Sequence, residues 1–231
     1  MDIVRLRLGM SLVGFREAWE LQREIHDDVA TGRRPDTVLL LEHASVYTAG
    51  RRTARSDRPT DGSDVVEVDR GGRLTWHGPG QLVVYPVVRL ADPVDVVAYV
   101  RALEQTVIDL AAEWGVRGVR VPGRSGVWVT GDPDRKLAAV GVRVARGVTM
   151  HGVAVNADAD LAPFATIVPC GITDAGVTSL TREAGRRVTV LDVADSTAHH
   201  LPAALAPCLA TPPDDGPAPA AVVVPSAVPA R

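Results

Sequence analysis

Apolar positions recur with a helical period in two long stretches of the chain. Residues 14–31 predict a helix with apolar residues along one side, ending at Gly32. Residues 93–114 predict a second such helix, with Asp92 as its N-cap and Gly115 beyond its end. A further helix is expected to begin at Thr189, because Thr189 and Asp192 fit a capping box, and to end or kink at Pro202.

Other apolar stretches are short or alternate with a period of two, as in strands. The predicted strands are 37–41, 65–68, 81–88, 125–130, 136–144 and 148–156. Strands outnumber helices and do not alternate regularly with them. The pattern therefore predicts an α+β fold, with a mixed β-sheet flanked by helices.

Composition narrows the class of protein. The chain has 231 residues, 46% of them hydrophobic, and a net charge of −3, so it can bury a large core and has no general basic footprint for nucleic acid. No apolar run reaches the roughly 18 residues of a membrane span, and the N-terminus does not read as a signal peptide, so we expect a soluble cytoplasmic protein. From about residue 211 the sequence is rich in Pro, Ala and Val, and 211–231 is expected to be a disordered tail.

One residue stands out from the composition. Of the 25 basic residues, Lys136 is the only lysine. A lysine can lose its proton when it is buried, whereas an arginine stays charged. Lys136 opens a small, apolar strand, so it is either a proton-transfer group in a desolvated place or an accident of an Arg-rich composition.

The chain has two cysteines, Cys170 and Cys208, and no C-x-x-C or H-E-x-x-H pattern, so no metal site is expected. An isolated cysteine is most often a small buried apolar residue. Cys170 lies in Val-Pro-Cys-Gly-Ile, and a basic partner such as Lys136 would make it a nucleophile. Cys208 is expected to be a buried residue or a simple exposed thiol.

The segment 70–81, with sequence RGGRLTWHGPGQ, is too polar and too rich in glycine for an ordinary strand connection. We expect it to form a wall that shapes a ligand. Its His77 could donate a hydrogen bond, take part in proton transfer, or only orient the Gly-Pro-Gly turn. The segment lacks a Walker lysine and the third glycine of a dinucleotide fingerprint.

Four motifs together resemble the octanoyltransferases of lipoate biosynthesis. They are EH followed by VYTAGRR at 42–52, RGGRLTWHGPGQ at 70–81, RKLAAVGVRVARGVTMHGVAVN at 135–156, and PCGI at 169–172. Trp76 stands where members of this family more often have Tyr. The resemblance implies a fold shared with biotin and lipoate protein ligases, with a catalytic core at 1–181 and a small C-terminal subdomain at 182–210.

The resemblance also implies a reaction that needs no cofactor. An octanoyl or lipoyl group moves from acyl carrier protein to a lysine of lipoyl domains in 2-oxoacid dehydrogenase complexes or of the glycine cleavage H protein. Cys170 would be the thioester nucleophile, and Lys136 the group that lowers its pKa. The implied substrate-binding residues are Arg70, Gly71, Gly72, Arg73, Leu74, Thr75, Trp76, His77, Ala139, Val140, Gly141, Gly152, Val153 and Ala154.

Three other functions remain open at the level of sequence. An ATP-dependent lipoate or biotin ligase would have the same fold but would need no cysteine. An acyl-binding or carrier-protein-binding module would keep the pocket without catalysis. A Cys/Lys hydrolase would release free octanoate instead of forming an amide.

Overall fold

The computed structural model describes residues 1–167 and 174–211; Cys170 and residues 212–231 of the expected tail lie outside these ranges. The described strands are β1 (Asp2–Arg5), β2 (Thr37–Leu41), β3 (Val46–Ala49), β4 (Val65–Glu67), β5 (Leu74–His77), β6 (Gln81–Val87), β7 (Val119–Val121), β8 (Arg124–Val129), β9 (Arg135–Ala145), β10 (Val148–Asn156) and β11 (Gly176–Val177). The described α-helices are α1 (Phe15–Ala30), α2 (Val96–Glu113), α3 (Leu180–Ala184) and α4 (Val190–Leu205).

A large mixed sheet organises the described residues. Its strand order is β1-β2-β6-β10-β9-β8-β7, and β11 pairs with β9 beside this path. The β1–β2 and β9–β11 pairs are parallel, and the other pairs are antiparallel. The predicted α+β class with a mixed sheet is thereby confirmed.

Both faces of this sheet are covered, which explains why its central strands are continuously apolar. In β2, Val38 and Leu40 join the core under α2 and α4, while Leu39 and Leu41 join a second core under α1. Side chains along a strand alternate between the two faces, so one run of leucines serves both cores. Because α4 packs in the same core as α2, the helix at 190–205 is part of the main hydrophobic interior. The domain boundary at 181 stays a prediction.

The predicted N-cap of α2 is wrong, and of the two outcomes predicted at Pro202, an end or a kink, α4 does not show the end. Asp95, not Asp92, caps α2: its carboxylate accepts from the Ala98 N–H at 2.9 Å, and the first helical bond runs from Tyr99 N–H to the Asp95 carbonyl. Helix α4 begins at the predicted capping box but continues through Pro202 to Leu205. The proline removes one backbone donor, and burial of Leu205 in the core holds the last turn in place.

A second, three-stranded sheet has the order β4-β3-β5 and carries the glycine-rich segment. Leu74 and Trp76 of β5 point into a small core with Tyr47, Phe164 and Ile167. The alternation of β5 directs Thr75 and His77 to its other face. This small sheet therefore holds the 70–77 segment as a wall beside the large one.

No helix within residues 1–167 and 174–211 combines the length and the apolar character needed to cross a membrane.

Candidate active site

A cleft opens beside β9 and β10, at the middle of the large sheet. Its walls come from these two strands, from β6, from the start of α1 and from the 70–77 segment, and they enclose about 460 Å³ of open space including solvent at the mouth. The lining residues are Phe15, Arg70, Arg73, Thr75, His77, Val83, Tyr85, Ala139, Val140, Gly141, His151, Gly152, Val153 and Ala154.

Most of the residues expected to bind substrate meet in this cleft. Residues 139–141 and 152–154 line it from adjacent strands, opposite Arg70, Arg73, Thr75 and His77. Leu74 and Trp76 lie elsewhere, in the small core on the other face of β5, where the Trp76 Nε1–H donates to Ser45 Oγ at 2.9 Å. Gly71 and Gly72 act through their backbones: the Gly71 N–H donates to Val142 O at 2.9 Å, and Gly72 O accepts from the Arg52 N–H.

Arg70 ties the glycine-rich segment together. Its buried guanidinium donates to the carbonyls of Gly71 and Arg73, and to the carbonyl and hydroxyl of Thr48 on β3. The side chain can cross β9 only because residue 141 is glycine, since a Cβ there would lie 2.9 Å from Arg70 Cδ. Arg70 therefore places a fixed positive charge in the wall of the cleft.

His77 is held by a chain of amide groups that fixes its tautomer. Gln81 Nε2 donates to Asn156 Oδ1 at 2.8 Å, and Asn156 Nδ2 donates to Thr178 O at 2.9 Å. The Gln81 Oε1 atom thus faces His77 Nδ1 at 2.7 Å, and this nitrogen must be the donor. Burial, followed by the charge of neighbouring His43, lowers the pKa of His77 to about 3, so its ring is neutral near pH 7 with the lone pair on Nε2.

His43 and Tyr85 form a second buried pair. The His43 Nδ1–H donates to Val13 O at 2.9 Å, so Nε2 accepts from the Tyr85 hydroxyl at 2.8 Å. Burial lowers the pKa of His43 to about 4 and raises the pKa of Tyr85. The pair is therefore neutral, and it places the Tyr85 ring against the cleft.

His151 completes this group from β10. It has a φ of +58°, an uncommon conformation for a residue with a side chain, and its N–H donates to Gln22 Oε1 of α1 at 2.8 Å. Its Nε2 lies 2.8 Å from Asp69 Oδ1, and Arg143 pairs with the other carboxylate oxygen. Burial lowers the pKa of His151, and the hydrogen bond from His151 lowers the pKa of Asp69, as expected for a neutral imidazole donating to a carboxylate. We call His43, His77, His151 and Tyr85 the histidine cluster.

Lys136 lies near the start of β9, three residues before the cleft-lining Ala139. It is 6% exposed, so the expected burial is observed. Its strand neighbours are Trp128 on β8 and Val177 on β11, and its Nζ lies 4.6 Å from the centre of the Trp128 ring. Cys170, its expected partner, lies in the segment outside the described residues. Cys208 lies on a turn after α4, where its carbonyl accepts from the Ala91 N–H and burial raises the pKa of its thiol.

Four lining residues are absent from the sequence-based expectation: Phe15, Val83, Tyr85 and His151. Phe15 and Val83 fit the apolar pattern of their helix and strand and cannot be told from core residues by periodicity. Only the His-Gly pair at 151–152 gave a local signal, and nothing in the sequence assigned it a role. Across residues 1–167 and 174–211, no three His, Cys, Asp or Glu side chains are grouped so that they could hold a metal ion.

Comparison with known proteins relates this site to a family. A family model described as the lipoyl protein ligase A/B catalytic domain matches residues 15–202. The octanoyltransferase of Salinispora tropica is 57% identical over 209 residues, which are 89% of this chain and 97% of that protein. The octanoyltransferase of Mycobacterium avium is 60% identical over 195 residues, 83% of this chain and 82% of that protein.

Solved structures agree in fold. A lipoate-protein ligase A bound with ATP superposes with a TM-score of 0.61 at 14% identity, over 89% of this chain and 86% of that chain. The bi-partite lipoate protein ligase of Thermoplasma acidophilum gives a TM-score of 0.60 at 13% identity, over 89% and 82%. At these identities the likeness concerns the fold alone. Because the family model covers most of the sequence and the relatives match over nearly their whole length, the chain belongs to the lipoyl protein ligase A/B catalytic-domain family.

Proposed function

We propose that this protein transfers an octanoyl group, held as a thioester on acyl carrier protein, to the ε-amine of a lysine on a lipoyl domain, in lipoate biosynthesis. The acyl group and the transfer are supported by relatives named octanoyltransferase at 57% to 60% identity over most of the chain. The acceptors would be lipoyl domains of 2-oxoacid dehydrogenase complexes and the glycine cleavage H protein. The observation that carries the mechanism is the burial of the one lysine beside the strand that follows the Pro-Cys-Gly-Ile motif.

Cys170 is the nucleophile in this proposal, and two tethers support it. Cys170 is three residues after Ile167, which packs under β5, and six residues before Gly176, whose neighbour Val177 pairs with Lys136. The described residues that precede and follow Cys170 in the sequence thus belong to the glycine-rich wall and to the strand beside Lys136, and this supports the choice of Cys170 as the nucleophile.

In the first half-reaction, neutral Lys136 accepts the Cys170 thiol proton, and Sγ attacks the carbonyl carbon of the donor thioester. The tetrahedral intermediate collapses by breaking the bond between that carbon and the carrier sulfur. The carrier thiolate then takes the proton from the Lys136 ammonium. One thioester replaces another, so this step needs no ATP.

In the second half-reaction, the acceptor lysine must arrive as a free amine. Its nitrogen attacks the Cys170 thioester, and Lys136 accepts the proton that this nitrogen loses as the amide forms. The bond to Sγ breaks, and the proton on Lys136 returns to the Cys170 thiolate. One basic group thus serves both halves, first for the thiol and then for the amine.

The cleft suits the acyl chain. Its apolar lining includes Phe15, Val83, Val140, Val153 and Ala154. An octanoyl chain has about six methylenes to bury, each contributing roughly 0.8 kcal/mol before the costs of binding. The length of this apolar lining would select the chain length of the donor.

The proposal is tested by intact mass spectrometry after the protein is mixed with octanoyl carrier protein in the absence of ATP. We expect a mass gain of one octanoyl group that maps to Cys170, is lost in Cys170→Ser and persists in Cys208→Ser. An adduct on Cys208, or no adduct under single-turnover conditions, would contradict the thioester route. Transfer that occurs only when free octanoate and ATP are supplied would instead identify a ligase.

A further inference from the structure

The proposed reaction gives a role to Lys136 but none to the residues packed around its side chain. Trp128, directly opposite Lys136 across the β8–β9 pair, is 1% exposed and turns its ring toward Nζ at 4.6 Å from the ring centre. Its indole N–H has no acceptor within the described part of the chain. The contact between Trp128 and Lys136 is made by the face of the ring.

The pairing of β8 with β9 is irregular at this contact. The pairing of β8 with β9 shifts by one residue between Val127, which pairs with Ala138, and Trp128, which pairs with Lys136. Leu137 is the extra residue in β9, so the strand carries a β-bulge beside the lysine. Bulges re-aim side chains and are common next to active sites.

Glycine is required at position 126 of β8, next to the lysine side chain. Gly126 has a φ of +102°, and a Cβ there would lie 2.3 Å from Ala138 O and 3.6 Å from Lys136 Cε. The Gly126 N–H donates at 2.8 Å to Glu104 Oε1, a fully buried carboxylate on α2. We call Lys136, Trp128 and Gly126 the lysine cradle.

We propose that Trp128 is a positioning residue that sets the protonation equilibrium of Lys136, by holding the ammonium form against the face of its ring. A cation over an aromatic face is stabilised, most strongly over Trp, and a neutral amine gains no such attraction. The inference rests on the proposed function only where it links this equilibrium to catalysis. In that reaction, Lys136 must accept and release a proton twice, so its affinity for the proton decides the pH at which it works.

Other charged groups near the cradle are paired. On β8, Arg124 lies 5.5 Å from the Trp128 ring centre and is bonded to Asp174, which precedes β11. On α2, Glu104 is neutralised by Arg101 and Arg120. On β9 itself, Arg135 pairs with Glu183 of α3. Replacing Trp128 removes the contact between its ring and Lys136 but removes no member of these ion pairs.

The single lysine allows a direct test. In the full chain, produced with [ε-¹³C]lysine and a tag free of lysine, only Lys136 carries the label. The midpoint of its NMR titration is compared in wild type, Trp128→Phe and Trp128→Leu. We expect the Leu variant to titrate about 0.5–1.5 pH units lower than wild type, with the Phe variant between them. Trp114→Leu, which removes a ring that covers Arg186 instead, should leave the midpoint unchanged.

Near-UV circular dichroism confirms which variants are folded, and Trp128→Phe carries the test if Trp128→Leu does not fold. An unchanged midpoint in the folded Trp128 variants overturns the proposal. An upward shift also overturns it, because it would mean that the ring acts by excluding water from the ammonium. The pH profile of acylation should shift with the NMR midpoint. Because the titration needs no substrate, it still decides the role of Trp128 if octanoyl transfer itself fails.

Discussion

The histidine cluster and the lysine cradle differ in the protonation state that they favour. In the cluster, burial lowers the pKa of His43 to about 4 and of His77 to about 3, although the hydrogen bonds to Val13 O and Gln81 Oε1 act in the opposite direction. In the cradle, a buried amine faces an aromatic ring that favours its charged form. Burial therefore disfavours the charged form in both regions, and in the cradle the aromatic face opposes the effect of burial.

The two regions suit different parts of an acyl transfer. A wall of neutral rings can border an acyl chain at little cost, whereas three charged imidazoles would oppose burial of that chain. Proton transfer needs a group whose charge can change within the cycle, and in the proposed reaction Lys136 of the cradle is that group. If this division is right, disturbing the cradle should change chemistry, and disturbing the cluster should change stability first.

The largest effect is expected from Lys136→Arg. The variant keeps the positive charge but cannot give up its proton, so both acylation and transfer should slow by about 10² to 10⁴-fold. Lys136→Met should be at least as slow. Both half-reactions are measured separately by rapid quench and mass spectrometry. Near-normal rates for the Arg variant would show that residue 136 supplies only a positive charge. The cradle would then have no role in proton transfer to set against the neutral histidine cluster.

The histidine cluster should make stability depend on pH in a defined window. Histidine in the unfolded chain titrates near 6.5, while His43 and His77 titrate near 4 and 3 in the fold. Between pH 6.5 and 4 the unfolded chain binds more protons, so stability is full above 6.5 and falls as pH falls. Each histidine should contribute a slope of up to about 1.4 kcal/mol per pH unit.

Urea unfolding at several pH values measures this slope. His77→Gln should reduce the slope between pH 6.5 and 4, whereas His199→Gln on the exposed side of α4 should leave it unchanged. Carboxylates with lowered pKa values, such as Asp69 and Glu183, lose their contribution at lower pH and affect wild type and variant alike. Equal slopes for wild type and His77→Gln would mean that His77 is not buried as a neutral ring.

A smaller effect is expected from Gly152→Ala, which tests how closely the strands beside the cluster must approach. A Cβ at 152 would lie 2.2 Å from Val84 O and 2.8 Å from Pro86 Cδ on β6. Relieving this overlap should cost about 1–3 kcal/mol of unfolding free energy. Gly176→Ala, where the nearest atom is Arg135 Cγ at 3.6 Å, is the matched control. Equal stability of the two variants would show that β6 and β10 can separate freely.

Sequence patterns predicted the elements better than they predicted which side chains meet. The apolar runs indicated the strands 37–41 and 148–156, and the small apolar strand after Lys136 indicated that this lysine is buried. Side chains alternate along β5, so Leu74 and Trp76 point away from Thr75 and His77. The motif alone does not show which of the two pairs faces the cleft, because this depends on how the small sheet packs. Tyr85 reaches the cleft only through the pairing of β6 with β10, a contact between strands about 70 residues apart.

The smallest chemical change is Tyr85→Phe, which removes one hydroxyl from the histidine cluster. His43 Nε2 would lose the Tyr85 donor in a fully buried position, at a cost of about 1–3 kcal/mol. The loss should also raise the pKa of His43 from about 4, because the Tyr85 donor favours the neutral ring. Urea unfolding and the NMR titration of the His43 ring measure the two effects. Tyr99→Phe is the control, because it removes a buried tyrosine hydroxyl from the core under α2 and α4, beside Thr149 and not beside a histidine. If Tyr85→Phe is as stable as the control and His43 titrates at the same pH as in wild type, burial alone keeps His43 neutral. The cluster would then differ from the cradle in solvation, and not in the groups that contact its ionisable side chains.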